Sequence, residues 1–147
     1  MRAVVTRVSS ASVEISGVIA GKIDKGFLVL LGIKNTDTEA DVIKLAAKVC
    51  NLRVFADADG KMNLNLETAG GGILVISQFT LYADLKSRRP GFTEAARPDT
   101  AIPLYELFID ECNKAGFIVE TGEFGAMMNV SSVNDGPVTI LFDTESM

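Results

Sequence analysis

The chain has 147 residues, of which 48% are hydrophobic and 22% charged, and this composition suits one folded domain and excludes a disordered chain. Its net charge of −5 argues against broad, nonspecific nucleic-acid binding, although it leaves open a small contact with one end of a nucleic acid. It contains no histidine, which excludes Ser-His-Asp and Cys-His catalysis and removes the commonest zinc ligand.

The start of the chain has the pattern of β-strands. Alternating apolar and polar residues predict three strands, over 1–8, 11–16 and 18–23, the last two as a hairpin. The run GFLVLLGI, over 26–33, is continuously apolar, which is typical of a strand that is buried on both faces.

A first helix is predicted from about Glu39 to Asn51. Apolar residues recur there every three or four positions, which is the period of an amphipathic helix. Thr38 and, three residues later, Asp41 resemble a capping box at its start, with Asp in place of the usual Glu.

A second helix is predicted from about Ala101 to Ala115, where the helical period returns. Asp99 or Thr100 is its expected cap. Pro103 is placed in the first turn, where the missing N–H of proline costs little.

The remaining apolar segments predict further strands, over 53–56, 72–81, 117–121, 126–133 and 138–142. The order of elements is strands, helix, strands, helix, strands, which is not a regular βαβα alternation. We therefore expect a mixed α/β single domain over residues 1–147, with a curved β-sheet or β-barrel-like core and two helices packed on it.

No run of about 18 apolar residues is present, and the N-terminal MRAVVTRV has no apolar signal-peptide segment. We therefore expect a cytoplasmic protein. Cys50 and Cys112 are far apart in the sequence and each falls in a helical pattern, so both are predicted to be buried thiols.

Polar residues lie at the end of the apolar strand predicted over 72–81. In its SQFTL segment, alternation places Gln78 and Thr80 on one face, and Ser77 and Phe79 on the other. Buried polar groups need hydrogen-bond partners, so these side chains either satisfy nearby loop backbone or line a site.

The loop after this segment concentrates positive charge in Lys86, Arg88, Arg89 and Arg97. A basic patch on an acidic protein either meets phosphates or is a solvated surface loop, and the sequence leaves both readings open.

The segment VNDGPVTILFD, over 133–143, raises a question about its proline. Asn134, Asp135 and Gly136 are good turn residues between two strand-like stretches. Pro137 follows directly, although proline cannot donate a hydrogen bond within a sheet. Taken alone, the segment is either a plain turn or a functional peptide.

SQFTLYAD and NDGPVT occur together, with RVSSASV, LVLLGI, NLRVF, DGKMNLNL and TGEFGAMMNVS in order around them. In this combination the chain resembles the D-aminoacyl-tRNA deacylase family over essentially its whole length. The resemblance implies a carboxylic ester hydrolase that cleaves D-aminoacyl-tRNA, and glycyl-tRNA(Ala), to free amino acid and tRNA. It also implies a homodimer without any metal or organic cofactor.

The resemblance further implies roles for individual residues. The Gly136–Pro137 peptide would be cis, enter the active site of the partner subunit and reject L-amino acids by steric exclusion. Arg7 would fix the orientation of that loop. The remaining residues would surround the substrate: Ser77, Gln78, Phe79 and Thr80 around the ester, Ala101 in the wall, and Phe124 beside the terminal adenine.

Two mechanisms fit these residues. Thr80 could act as a nucleophile or activate water, but threonine needs a nearby base and none is evident in SQFTL. In the preferred alternative the vicinal 2′-hydroxyl of the terminal ribose activates or orients water, while the protein positions the ester and stabilises the oxyanion. A noncatalytic module that binds aminoacyl-tRNA is a hypothesis of a different class.

Overall fold

The computed structural model describes residues 1–147, with eight strands, three α-helices and one 3-10 helix. The strands are β1 (Arg2–Ile15), β2 (Val18–Ile23), β3 (Gly26–Gly32), β4 (Phe55–Ala56), β5 (Met62–Leu64), β6 (Gly72–Ser77), β7 (Val119–Thr121) and β8 (Asn129–Asp143). The helices are α1 (Glu39–Cys50), α2 (Leu66–Ala69) and α3 (Pro98–Lys114), and the 3-10 helix spans Phe79–Tyr82. No helix has the length and apolar character needed to cross a membrane.

β1 is the centre of a six-stranded sheet, because it pairs antiparallel with β2, β3 and β8. β6 runs parallel to β3, and β7 runs parallel to β6. A Cβ atom on Gly21 of β2 would lie 2.8 Å from the carbonyl oxygen of Thr121 in β7, so β2 curls over to β7. The sheet nearly closes into a barrel, which confirms the predicted mixed α/β fold with a barrel-like sheet.

The middle of the sheet, β3 and β6, is buried on both faces, whereas most of β2 and β8 is exposed. One face packs against α1 and α3, and the other encloses a smaller apolar core inside the barrel. Along β3, Phe27 and Val29 enter the helix-side core whereas Leu28 enters the barrel core. This confirms that the continuous apolar run over 26–33 forms a strand with two buried faces.

α1 begins and ends close to its predicted bounds, and its expected capping interaction is present. The Asp41 carboxylate accepts hydrogen bonds from the backbone N–H of Thr38 at 2.8 Å and from the Thr38 hydroxyl at 3.0 Å. The bond from the backbone lowers the pKa of Asp41. Cys50 of α1 and Cys112 of α3 are buried free thiols, as predicted, with their Sγ atoms 3.8 Å apart.

α3 begins earlier than predicted, at Pro98, with Arg97 as its N-cap. The expected caps, Asp99 and Thr100, are helical residues, because proline at the first helical position has a suitable fixed φ and lacks an N–H that would be unpaired. Pro103 therefore lies inside the helix, after its first turn, and its predicted place in that turn was wrong.

Two local predictions fail between α1 and α3. The strand expected over 72–81 ends at Ser77, so the alternation inferred for the residues after it was wrong. The short helix α2 was not predicted, because four residues are too few to show a helical period. Asn65 is the N-cap of α2, and its side chain accepts a hydrogen bond from the Thr68 N–H at 3.1 Å.

Candidate active site

The SQFTL segment begins at the carboxyl end of β6. Gln78 still donates its backbone N–H to the carbonyl oxygen of Leu31 in β3, at 2.8 Å, and the chain then turns into the 3-10 helix. This helix crosses directly over Gly32, where a Cβ atom would lie only 2.9 Å from the Leu81 Cβ. Glycine at this position therefore lets the polar segment close over the end of β3.

Within this segment, Gln78 and Thr80 form a side-chain pair. The Gln78 amide nitrogen, Nε2, donates to the Thr80 Oγ1 at 2.5 Å, and this is the only side-chain hydrogen bond that the Thr80 hydroxyl makes. An amide does not act as a general base at neutral pH. The arrangement can orient the hydroxyl but does not supply the proton acceptor that a threonine nucleophile requires.

Phe79 lies beside this pair as a half-exposed aromatic side chain, with 53% of its surface accessible. Its ring meets the ring of Phe92 edge-on, with centroids 5.0 Å apart. Such edge-to-face contacts are favourable because the positive ring edge faces the negative ring face. Phe92 therefore fixes Phe79 in position while leaving its other face open.

α3 forms a wall along β6. Its C-terminal end leads into Ile118, whose carbonyl oxygen accepts from the Ile73 N–H at the start of β6, so the N-terminal end of α3 lies toward Ser77. Tyr105 donates its hydroxyl to the carbonyl oxygen of Val75 at 3.1 Å, and Ala101 is buried one turn closer to the helix start. Burial raises the pKa of Tyr105 to about 12.

Phe124 belongs to the same wall. Its ring packs edge-on against Tyr105, with centroids 5.9 Å apart, in the loop between β7 and β8. Tyr105 thus links three parts of the candidate site: the end of β6, the start of α3 and the loop that carries Phe124. The four residues of SQFT, Ala101 and Phe124 accordingly lie at one end of the sheet.

Gly136 and Pro137 lie in a bulge of β8. Thr6 of β1 pairs with Thr139, whereas Val8 pairs with Asn134, so four residues of β8 (135–138) lie opposite the single residue Arg7. The bulge is closed by Asn134, whose side-chain oxygen accepts from the Val138 N–H at 3.1 Å. The peptide bond between Gly136 and Pro137 is cis, and both residues are exposed.

Arg7 supports the bulge from beneath. Its Nε donates to the carbonyl oxygen of Asp135 at 3.0 Å, and its Nη1 donates to the carbonyl oxygen of Val54 at 2.5 Å. The Asp135 carboxylate lies 3.4 Å from the same Nε, and only 13% of the Arg7 side chain is exposed. A partly buried guanidinium with three oxygen partners is a rigid support, because its donors have a fixed geometry.

The bulge and the SQFT segment lie far apart within one chain. The 3-10 helix covers Gly32, which pairs with Arg2, whereas the bulge lies opposite Arg7. Five positions along β1 correspond to about 17 Å. The structure therefore brings six of the predicted site residues to one end of the sheet and leaves Arg7, Gly136 and Pro137 at a separate place.

The family model described as D-Tyr-tRNA(Tyr) deacylase matches residues 4–143. The chain belongs to the D-Tyr-tRNA(Tyr) deacylase family. It is 55% identical to the D-aminoacyl-tRNA deacylase of Thermus aquaticus, over 98% of this chain and 95% of that one. It is 53% identical to the D-aminoacyl-tRNA deacylase of Thermosipho africanus, over 100% of this chain and 99% of the relative.

Solved structures agree in fold with this deacylase family. A structure described as the c-Myc DNA Unwinding Element Binding Protein superposes with a TM-score of 0.92 at 39% identity, over 97% of this chain and 98% of that one. A probable eukaryotic D-amino acid tRNA deacylase superposes with a TM-score of 0.83 at 16% identity, covering 96% of this chain and 97% of that one, which shows the fold alone. The predicted family and enzyme class are confirmed, and deacylase activity is supported.

Sequence reasoning about this deacylase missed two supporting residues, Tyr105 and Phe92. Tyr105 has a sequence signal, since it lies four residues after Ala101 and therefore on the same helix face. Phe92 has none, because it is distant in sequence from Phe79 and lies in a loop without periodicity. Both contribute by holding a predicted site residue in place.

Proposed function

We propose that residues 1–147 form one deacylase domain that hydrolyses the ester of D-aminoacyl-tRNA in the cytoplasm, releasing the D-amino acid and free tRNA. The observation that carries the proposal is the family match over 4–143, within which the SQFTL and NDGPVT segments both occur. The ester would bind beside Ser77, Gln78 and Thr80 at the end of β6. No metal or organic cofactor takes part in the proposed reaction.

Two copies of the chain would form each active site. Gly136 and Pro137 are exposed and lie about 17 Å along the sheet from the SQFT segment, so they would serve the pocket of a partner subunit. An uncovered apolar area supports a second copy at the sheet: Leu141 is 77% exposed and borders a cavity of about 430 Å3 with Val4 and Leu81.

In this arrangement the Gly136–Pro137 peptide would read chirality. A backbone carbonyl is a hydrogen-bond acceptor and would hold the α-ammonium group of the substrate in one direction. With the ammonium group and the ester both fixed, a D side chain points outward and an L side chain is driven into the wall. Glycine has no side chain, so glycyl-tRNA(Ala) would also be accepted.

Catalysis would come from the substrate's own 2′-hydroxyl. The hydrogen-bond partner of Thr80 is the Gln78 amide, which leaves the threonine without a base. The ribose hydroxyl next to the ester would activate or orient water, and the backbone N–H groups of the pocket would stabilise the oxyanion. A Thr80-dependent hydrolase is the second mechanism, and a noncatalytic aminoacyl-tRNA binding module is the second function.

The test is turnover of D-tyrosyl-tRNA and L-tyrosyl-tRNA with the substrate in large excess over protein. We expect many equivalents of D-tyrosine and no enzymatic release of L-tyrosine. Release of at most one equivalent of D-tyrosine would support the binding module instead. Equal release of both enantiomers would refute the role of the Gly136–Pro137 peptide.

A further inference from the structure

The loop between the 3-10 helix and α3 differs in charge from the rest of the chain. Four of the 14 basic residues fall within 86–97, together with one acid, Glu94, although the whole chain carries a net charge of −5. They are Lys86, Arg88, Arg89 and Arg97. Positive potential is therefore concentrated in one segment of an otherwise acidic molecule.

Most of this charge is free of acidic partners. Arg88, Arg89 and Arg97 are exposed and form no ion pair, while Glu94 lies 4.0 Å from Lys34, outside the group. Lys86 is 91% exposed and lies 3.7 Å from Asp84, a surface pair of small strength. The three guanidinium groups are therefore available to an anion from solution.

The cations are held on an ordered hairpin. Asp84 and Gly91 exchange both backbone hydrogen bonds, at 2.7 and 3.0 Å, and the Asp84 carboxylate accepts from the Lys86 N–H at 3.0 Å. Across the tip, the Ser87 hydroxyl donates to the carbonyl oxygen of Arg89 at 2.7 Å. Less conformational entropy is lost on binding when the cations already stand on a fixed backbone.

The loop that contains the hairpin contacts residues of the proposed pocket at two places. Phe92, directly after it, packs against Phe79. At the other end of the loop, the carbonyl oxygen of Arg97 accepts from the Ala101 N–H at 2.8 Å, so Arg97 begins the helix that forms the wall. The loop that carries the cations therefore adjoins the place where the ester of the substrate would bind.

We propose that the Asp84–Gly91 hairpin and Arg97 bind the phosphodiester groups of the single-stranded 3′ end of tRNA. This inference rests on the proposed function, since the ester locates the 3′ end. Guanidinium groups match phosphate oxygens, and such contacts position RNA without reading its sequence. The acidic remainder of the surface repels the rest of the RNA, which confines binding to this end.

The experiment compares two substrates with the same ester, D-tyrosyl-tRNA and D-tyrosyl-adenosine, which lacks phosphates. In the variant Arg88→Gln/Arg89→Gln, kcat/KM for D-tyrosyl-tRNA should fall about tenfold, since an exposed charge pair contributes up to about fivefold. For D-tyrosyl-adenosine, kcat/KM of the same variant should stay within twofold of the wild-type value. For D-tyrosyl-tRNA, the slope of log(kcat/KM) against log[salt] should become less negative by about 0.7 for each phosphate contact that is lost.

The matched control is Lys48→Gln/Lys114→Gln, which removes two exposed cations at the opposite end of the molecule from Arg97. Lys48 lies in the last turn of α1, and Lys114 lies in the last turn of α3, the helix that begins after Arg97. This control should change kcat/KM by less than twofold with either substrate. An equal loss in the control would refute a local phosphate site and indicate a general charge effect.

Two other outcomes would overturn the proposal. In one, the double arginine variant has an unchanged kcat/KM for D-tyrosyl-tRNA; in the other, it loses kcat/KM equally with both substrates.

Affinity for uncharged tRNA, measured by fluorescence anisotropy, separates this proposal from the proposed function. If the wild type hydrolyses neither substrate but the double arginine variant still loses salt-dependent tRNA affinity, the function fails and the phosphate site stands. If the wild type hydrolyses both and the variant binds tRNA equally well, the phosphate site fails.

Discussion

The SQFT segment and the bulge at 135–138 are built in opposite ways. SQFT continues a strand whose two faces are buried, and it is held by the backbone of β3, by Tyr105 through Val75 and by α3. The bulge projects from β8 with exposed residues on its tip, and its support comes from Arg7 and Asn134. One region is fixed by the core of its own chain, whereas the other extends away from that core.

The contrast explains how one small chain could recognise a substrate on two sides. A pocket at the end of a buried strand is rigid because packing fixes it. The bulge points into solvent and lies about 17 Å from the SQFT segment of its own chain; in the proposed arrangement it would complete the pocket of a second copy. Each of the following changes acts on one region and leaves the other intact.

The largest effect is expected for Gly136→Ala in the bulge. Gly136 has φ 133°, and an added Cβ would lie 2.9 Å from the Arg7 Nη2 and 2.8 Å from the Val138 Cγ2. The backbone of the bulge has to shift, and a shift of about 1 Å at a positioning group can cost about 100-fold. We expect kcat/KM for D-tyrosyl-tRNA to fall about 100-fold, and the positive φ to cost about 1–3 kcal/mol of stability.

The matched control is Gly60→Ala. Gly60 also has a positive φ, of 77°, but an added Cβ would meet no atom within 4 Å, and it lies in the turn before β5. Its activity should equal that of the wild type. If both glycine variants lose activity and stability alike, the loss reflects backbone strain and the special role of the bulge is refuted.

A smaller loss is expected for Arg7→Met, which keeps an unbranched apolar stem but removes the donors to Asp135 and Val54. Each hydrogen bond to a charged group contributes about 1.5–3 kcal/mol, and part of this is lost when the bulge loosens. We expect kcat/KM to fall about tenfold. Arg7→Lys should recover only part of the activity, because an ammonium group cannot reach both carbonyl oxygens in the fork geometry of arginine.

Thr80→Val tests the SQFT segment by removing a hydroxyl at nearly constant volume. If the 2′-hydroxyl of the substrate activates water, kcat should change by less than about fivefold, since the hydroxyl acts only in positioning. A loss of about 1000-fold or more would show that Thr80 acts chemically. With a D-tyrosyl-tRNA whose terminal ribose lacks the 2′-hydroxyl, kcat of the wild-type protein should fall by a large factor.

The smallest effect is expected for Tyr105→Phe, which removes only the hydroxyl that donates to Val75. An unmade buried hydrogen bond of this kind costs about 1 kcal/mol. Urea unfolding should detect this loss of stability, while kcat/KM for D-tyrosyl-tRNA changes by about twofold at most. A much larger fall in activity without a loss of stability would mean that Tyr105 contacts the substrate itself.

The sequence predicts the buried framework better than the connections between its parts. The apolar run over 26–33 and the period of α1 identify elements correctly because burial on two faces, or on one helix stripe, leaves a pattern in the residues. The end of β6 at Ser77 leaves no such pattern, because the turn over Gly32 depends on contact between segments distant in sequence.

The candidate site likewise has features that the sequence predicts and features that it does not. The composition of SQFTL and NDGP marks both segments as unusual, but nothing in the sequence gives the distance between them. That distance is set by the register of β1, with Arg2 opposite Gly32 and Arg7 opposite the bulge. The continuity of β8 through 134–139 is also not predictable from the sequence. Its turn residues form a bulge beside the long strand β1 instead of a hairpin.

The most direct test of the shared site is mixing two inactive variants, Gly136→Ala with a damaged bulge and Gln78→Arg with a blocked pocket. If the bulge of one copy completes the pocket of the other, a mixed dimer has one intact site, so random mixing should restore about a quarter of wild-type activity. Native mass spectrometry should confirm that mixed dimers form. Mixed dimers without recovered activity, or a chain that is fully active as a monomer, would contradict the account.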